Sequence, residues 1–277
     1  ELHTNKLMLA CDINKLADYA DILIFAIPSA FIEIELAKLN TDISSKIIVS
    51  AVKGIIPESG HLVGEHFQRK HAVKSENTVV LAGPCHAEEV ALERLSYITV
   101  VCANLDTANE IAEQFSSNYI KINTNDDVIG AEYAAMIKNV YAIAAGIAHG
   151  LGYGDNFQSV LMSSATREMK RFIKKAHKKK RNINETVYLG DLLVTCYSLF
   201  SRNRMFGNMV GKGYTVKSAQ MEMSMIAEGY YATKSAYQIN QNQEIPAKTP
   251  IVNTVYEIIY LQKNAKRAFK KLAEKIN

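Results

Sequence analysis

A lysine in the middle of a long apolar stretch is where this sequence can do chemistry. From residue 130 to 149 the chain runs GAEYAAMIKNVYAIAAGIAH, with Lys138 near its centre. The residues three and four positions away are Ala134, Ala135, Tyr141 and Ala142; they share its helical face, and three of the four are small. An ammonium group among such neighbours costs free energy unless a partner meets it. Burial also shifts a lysine's pKa readily, which suits the group to proton transfer. The competing reading is a lysine whose stem lies along the helix while its charge reaches water. The helix alone leaves both open.

A second segment, LGDLLVTCYSLFSRNRMFGN from residue 189 to 208, gathers polar groups suited to an anionic ligand. Ser201, Arg202, Asn203 and Arg204 place two guanidinium groups, a hydroxyl and an amide in four residues. Guanidinium forks match phosphate or carboxylate bidentately, and Ser201 and Asn203 can add neutral hydrogen bonds. The alternative is Ser201 as a helix N-cap with both arginines on a solvated surface. Asp191 follows a glycine and precedes an apolar run, a setting in which it could lie near a buried lysine.

The elements that must hold these groups divide near residue 124. Before it, residues 22–27, 46–52, 78–82, 97–102 and 119–123 are rich in β-branched and apolar side chains and are predicted as strands. Residues 30–39, 60–70 and 105–114 alternate with them as helices. Such alternation predicts an α/β fold with a doubly wound sheet. After residue 124 helical periodicity takes over, in 130–149, 157–177, 215–229 with 230–239, and 251–276 with one break. The organisation is therefore a sheet domain over 1–124 and an all-α domain over 125–277, with the site in the cleft between them.

Composition narrows the function classes. The chain has 277 residues, 48% hydrophobic and 22% charged, as expected for one large or two ordinary globular domains. No run of about eighteen apolar residues is free of charge, so no membrane span is indicated. Glu132 and Lys138 interrupt the nearest candidate. No signal peptide is visible. Basic clusters lie at 174–181 and 263–275, but the net charge is only +4 and no nucleic-acid-binding motif accompanies them, which argues against nucleic acid as a partner. Cys11, Cys85, Cys102 and Cys196 are widely spaced and form no metal or redox pair in sequence, and no H-x-x-x-H spacing occurs, so no metal is expected. Reduced thiols suit the cytoplasm.

In order along the chain, several motifs resemble the NAD(P)-dependent glycerol-3-phosphate dehydrogenases. They are ADILIFAIPSAF from residue 20, SAVKGI from 50, LAGPCHAEEV from 81, the Lys138–Asn139 helix, GLGYGDN from 150, LGDL with SRNR, and IAEG from 226. Each is weak alone, but the ordered set is specific and spans most of the chain. The family's glycine-rich nucleotide turn is a departure, since no G-x-G-x-x-G occurs. The resemblance implies that the first strand, its turn and helix, and the next strand precede residue 1, leaving a Rossmann-like domain incomplete at its start.

The resemblance also implies roles. Lys138 matches the catalytic lysine, which protonates the oxygen as hydride reaches a carbonyl carbon; a positioned ammonium both stabilises and protonates that oxygen. Asp191 matches the aspartate that orients it, and Lys53 a second lysine at the substrate. Two nearby ammonium groups depress each other's pKa. Asn139, Thr195, Ser201, Arg202 and Asn203 match substrate positions, with Arg202 the phosphate anchor that also lies near the dinucleotide. Core packing competes as a reading of Thr195, and a strand-end surface position as a reading of Lys53. On the cofactor side, Phe31, Gly83, Cys85, Ala87, Ile226 and Glu228 match residues around NAD or NADP. The family often has serine at Cys85, and a thiol is the weaker donor. The implied reaction interconverts dihydroxyacetone phosphate and sn-glycerol 3-phosphate, feeding phospholipid synthesis, in a cytoplasmic homodimer. Two alternatives stand beside it. Hydroxyacid or 6-phosphogluconate-type dehydrogenases place lysine and asparagine one helical turn apart, whereas here they are adjacent. A non-catalytic phosphometabolite-binding protein would not need the acid, base and phosphate positions.

Overall fold

The computed structural model describes residues 7–57, 59–223, 225 and 227–276. The first part alternates helix and strand: α1 (Ile13–Tyr19), β1 (Ile22–Phe25), a 3-10 turn (Ser29–Phe31), α2 (Ile32–Leu36), β2 (Ile47–Ser50), α3 (Val63–His71), β3 (Thr78–Ala82), α4 (Ala87–Ala91), β4 (Ser96–Cys102), α5 (Leu105–Phe115) and β5 (Ile120–Asn125). The rest is helical: α6 (Val128–Gly150), α7 (Asp155–Ala176), a π turn (Thr186–Gly190), α8 (Asp191–Tyr197), α9 (Arg202–Gly211), α10 (Val216–Glu222), α11 (Gly229–Gln241), α12 (Pro250–Ile259) and α13 (Ala265–Ala273).

The five strands form one sheet in the order β1-β2-β3-β4-β5. All neighbours are parallel except β3 and β4, which run antiparallel with Val80 opposite Val101. The connection between those two carries only the five-residue α4 and returns the chain beside β3 without a crossover. The central strands are buried on both sides, with Val49, Val79, Val80, Val100 and Val101 all inaccessible to water. That explains why they read as continuous apolar runs rather than alternating ones.

The helical part is organised around α6, which is buried along nearly its whole length and apolar on all sides. Its closest neighbour is α9. A Cβ added at Gly207 would stand 2.1 Å from the Ile143 carbonyl oxygen, and one at Gly146 2.1 Å from that of Arg204. Only glycine lets the two backbones meet at that distance, and this close crossing brings the start of α9 against the middle of α6.

Two predicted helices differ from the structure. The 30–39 segment divides into the 3-10 turn and the short α2, because Pro28 fixes an extended backbone at the turn's entrance. The 215–229 helix ends at Glu222. Met223 is extended, and a new helix starts at Gly229, whose N–H is held by the Asn203 side chain 2.8 Å away. That tertiary bond outweighs local helical periodicity.

Candidate active site

Lys138 is 5% exposed, and its ammonium forms an ion pair with Asp191. The stem does not snorkel to the surface. Burial pulls the lysine's pKa down to about 8; Asp191 opposes this, and the charge of Lys53 pushes it lower still. Asp191 is the first residue of α8 and continues directly from the π turn, its own N–H bonded back into that turn. Its Oδ1 takes the lysine, and its Oδ2 accepts the Gly83 N–H at 3.4 Å. Gly83 follows the carboxyl end of β3 with φ of +109°. A Cβ there would lie 3.1 Å from the Tyr97 carbonyl oxygen, so both the backbone angle and the space call for glycine. One carboxylate thus joins the buried lysine to the loop at the end of the central strand.

Lys53 stands three residues beyond the end of β2, half-buried, on the sheet side of this cluster. Its charge bears on Lys138, Cys85 and Glu228. Cys85 lies half-buried in the loop after Gly83; burial raises its thiol pKa, and Lys53 opposes the rise. Ala87 is exposed at the start of α4.

A second polar chain runs beside the lysine. Asn203 Nδ2 donates to Asn139 Oδ1 at 2.9 Å, while Asn203 Oδ1 accepts the Gly229 N–H. Both asparagines are buried. This network orients Asn139 next to Lys138 and ties the first turns of α9 and α11 to α6. Ser201 caps α9, its hydroxyl accepting the Arg204 N–H at 3.3 Å, as the capping alternative has it. Thr195 is buried and donates to the Asp191 carbonyl at 2.6 Å, so its hydroxyl proton is spent within its own helix. Arg202 is exposed at the first position of α9, with Nη1 3.6 Å from Met225 Sδ.

Glu228 reaches back to the sheet part. Burial raises its pKa, opposed by Arg202, by the Ser29 backbone N–H and by Lys53 and Lys138. Phe31 ends the 3-10 turn that contains Ser29 and is 44% exposed, an aromatic face left open at the carboxyl end of β1. Ile226 lies outside the described residues. The strand ends of β1, β2 and β3 thus present Phe31, Lys53, Gly83 and Cys85 on the edge of the sheet where open α/β folds bind nucleotides. His86, in the same loop, has a buried Nε2 without a hydrogen-bond partner among the described residues. An open aromatic face and an orphaned ring nitrogen fit a dinucleotide at this edge. Sequence alone does not point to Ser29, which acts through its backbone and so leaves no mark on residue type.

Comparison with known proteins agrees with this geometry. Residues 2–108 match the family model for the NAD-dependent glycerol-3-phosphate dehydrogenase N-terminus, and residues 127–270 match that for the C-terminus. The glycerol-3-phosphate dehydrogenase [NAD(P)+] of Lysinibacillus sphaericus is 35% identical over 94% of this chain and 80% of the relative. The enzyme of the same name from Enterococcus faecalis is 35% identical over 98% of this chain and 83% of the relative. Among solved structures, the glycerol-3-phosphate dehydrogenase of Coxiella burnetii superposes with a TM-score of 0.87 at 27% identity, covering 96% of this chain and 80% of that one.

Proposed function

The chain belongs to the NAD(P)-dependent glycerol-3-phosphate dehydrogenases, and we propose that it reduces dihydroxyacetone phosphate reversibly to sn-glycerol 3-phosphate with Lys138 as general acid and base. The observation that carries this is the buried Lys138 ammonium, held by a carboxylate that also grips the loop after β3. A nicotinamide dinucleotide, NAD or NADP, supplies the hydride when bound. Phe31, Gly83, Cys85, Ala87, Arg202, Ile226 and Glu228 are the residues we assign to holding it.

In the direction of reduction, negative charge develops on the substrate's carbonyl oxygen. Lys138 stabilises that charge and delivers the proton. Its depressed pKa makes the proton easier to give up than an ordinary lysine's. Asp191 keeps the ammonium aimed and, after transfer, holds the neutral amine in place. Lys53 faces the substrate from the sheet side, and Asn139, Thr195, Ser201 and Asn203 line the helical side. Arg202 is the phosphate anchor; fixing the remote phosphate positions the reacting carbon and reduces the entropy lost at the chemical step. We read residues 1–124 as the dinucleotide domain and 125–277 as the substrate domain. The free thiols of Cys11, Cys85, Cys102 and Cys196 support a cytoplasmic setting. A homodimer and a supply of glycerol phosphate to glycerophospholipid synthesis complete the proposal. Among the described residues no helix is long and apolar enough to cross a membrane.

The test is nicotinamide absorbance with dihydroxyacetone phosphate, comparing the protein with Lys138→Ala. Turnover in the parent and a loss of at least about a hundred-fold in the folded variant is the expected result. Equal turnover in both would remove Lys138 from the chemistry.

A further inference from the structure

Helix α3 has no side-chain cap of its own, because Leu62 occupies its N-cap position. Its first free N–H groups are met from the other half of the molecule. Glu132, in the second turn of α6, accepts the Gly64 N–H on Oε1 at 3.0 Å, and the Val63 N–H also bonds its carboxylate. Glu132 is 4% exposed and has no cation against it in any ion pair among the described residues. Burial raises its pKa to about 7, the two N–H groups opposing and Glu65 on α3 adding to the rise. Tyr133, beside it on α6, is raised by burial and by the same two carboxylates. Leu62 is itself buried in the core shared with α6, so a polar capping side chain at position 62 would give up that packing. A buried carboxylate from α6 does what a local cap cannot, which is to fasten the helix that carries Lys138 to the sheet part.

The fastening leads to a particular place. Along α6, Glu132 and Lys138 are six residues apart, about 9 Å of helical rise. On the other side, α3 follows a loop closed by the Ile55–Leu62 bridge, and Lys53 stands two residues before that bridge. Fixing the first turn of α3 fixes Leu62, the bridge and the backbone that carries Lys53. Beside the apolar packing of α6 on the sheet, the polar contacts between the two parts include this one and, through the Lys138 ion pair, the Asp191 bond to Gly83.

We propose that Glu132 is a positioning residue that registers Lys53 against Lys138 by capping α3 from the catalytic helix. The proposal rests on the reading that Lys53 serves the substrate. Glu132 touches no reacting atom; it sets the distance between two ammonium groups borne by different halves of the molecule. A displacement of about 1 Å at such a group is enough to slow a reaction by up to about a hundred-fold.

The experiment is a double-mutant cycle on the purified protein, with dihydroxyacetone phosphate and reduced nicotinamide dinucleotide, using Glu132→Gln, Lys53→Ala and the pair. Expected is a fall in kcat/KM for the triose phosphate of roughly ten- to a hundred-fold in Glu132→Gln, with the KM for the dinucleotide little changed. In the double variant kcat/KM should match Lys53→Ala alone to within about two-fold, because the second change removes what the first had already misplaced. Multiplying losses would overturn the inference and leave the role of Lys53 standing. Unchanged kcat/KM in Lys53→Ala would overturn the reading of Lys53 and this inference with it. A lowered melting temperature with parental kcat/KM in Glu132→Gln would reduce Glu132 to a stability role. If Glu132→Gln does not fold, Gly64→Ala replaces it in the cycle. Its Cβ would stand 3.1 Å from Glu132 Oε2 and from Thr78 Cγ2, disturbing the same contact with the carboxylate present. The same outcomes then apply.

Discussion

Replacing Asp191 by asparagine keeps the shape of the side chain and removes its charge, so it isolates what the carboxylate does for Lys138. Both side chains are almost fully buried, 7% and 3% exposed, and water screens the pair little. Removing one partner of a buried pair costs ~3–5 kcal/mol when the other stays charged. At about 1.4 kcal/mol per pKa unit, the lower figure shifts Lys138 by about two units. Its pKa would fall from about 8 to roughly 6. At pH 7 the ammonium fraction then drops from about nine-tenths to about one-tenth, which slows reduction about ten-fold through protonation alone. The loss of stability is smaller than the pair energy. Deprotonating the lysine at pH 7 recovers part of it, leaving a cost of roughly 2 kcal/mol.

The assay is kcat/KM for reduction as a function of pH, followed by nicotinamide absorbance. Reduction needs the ammonium, so the parent rate is flat at low pH and falls as pH rises through about 8. Oxidation of glycerol 3-phosphate needs the neutral amine and rises through the same region. In Asp191→Asn the descending limb should move about two units toward acid. A lysine that is merely less well aimed would lower the plateau and leave the limb where it was. A limb still near pH 8 in the folded variant would refute the argument that Asp191 supports the lysine's charge.

Two further outcomes follow from the packing. Gly207→Ala puts a Cβ 2.1 Å from the Ile143 carbonyl oxygen, so α9 must move off α6. Thermal melting should show a loss of at least ~1–3 kcal/mol, with a raised KM for the triose phosphate because Asn203 moves with α9; an unchanged melting temperature would contradict the close crossing. Glu168 is fully buried on α7, where it accepts the Ile251 and Val252 N–H groups at 2.9 Å each, and burial raises its pKa from the ordinary 4.5 to about 8. A carboxyl whose folded pKa is raised contributes stability that is complete below pH 4.5 and lost as pH rises through about 8. Urea denaturation of the parent should weaken across that window by up to a few kcal/mol, and Glu168→Gln should flatten the slope. A parent curve as flat as the variant's would refute it.

Much of the frame was legible because local pattern and tertiary role agree there. The segment 78–82 is a β-branched run bounded by Asn77 and Gly83, and β3 occupies those residues. α6 is apolar on every face, and it fills the centre of the helical part. The antiparallel β4 was not legible, since strand periodicity carries no direction. The end of α10 at Glu222 was hidden for a different reason. Nothing in the local sequence reports that Gly229 must present its N–H to Asn203, a residue 26 positions earlier. Similar limits apply to individual side chains. The residue types of Ser201 and Thr195 suit both a ligand contact and a structural role, and the structure gives each hydroxyl a backbone partner in its own helix.

Lys138 and Asp191 were legible for the opposite reason. A charge in an apolar helix demands a partner, and the pair is 53 residues apart in sequence yet in direct contact. The second bond of that carboxylate, to Gly83, could not be read, because a backbone N–H has no signature in residue type. It is also the contact that gives the pair its wider meaning. Charge drawn from Asp191 toward the Gly83 N–H is charge no longer shared with the lysine, so closer approach of the loop lowers the lysine's pKa and withdrawal raises it. The loop after β3 is where the dinucleotide is placed by the proposal above. On that proposal, a ligand seated against the loop would be coupled to the proton on Lys138 through the two oxygens of a single aspartate.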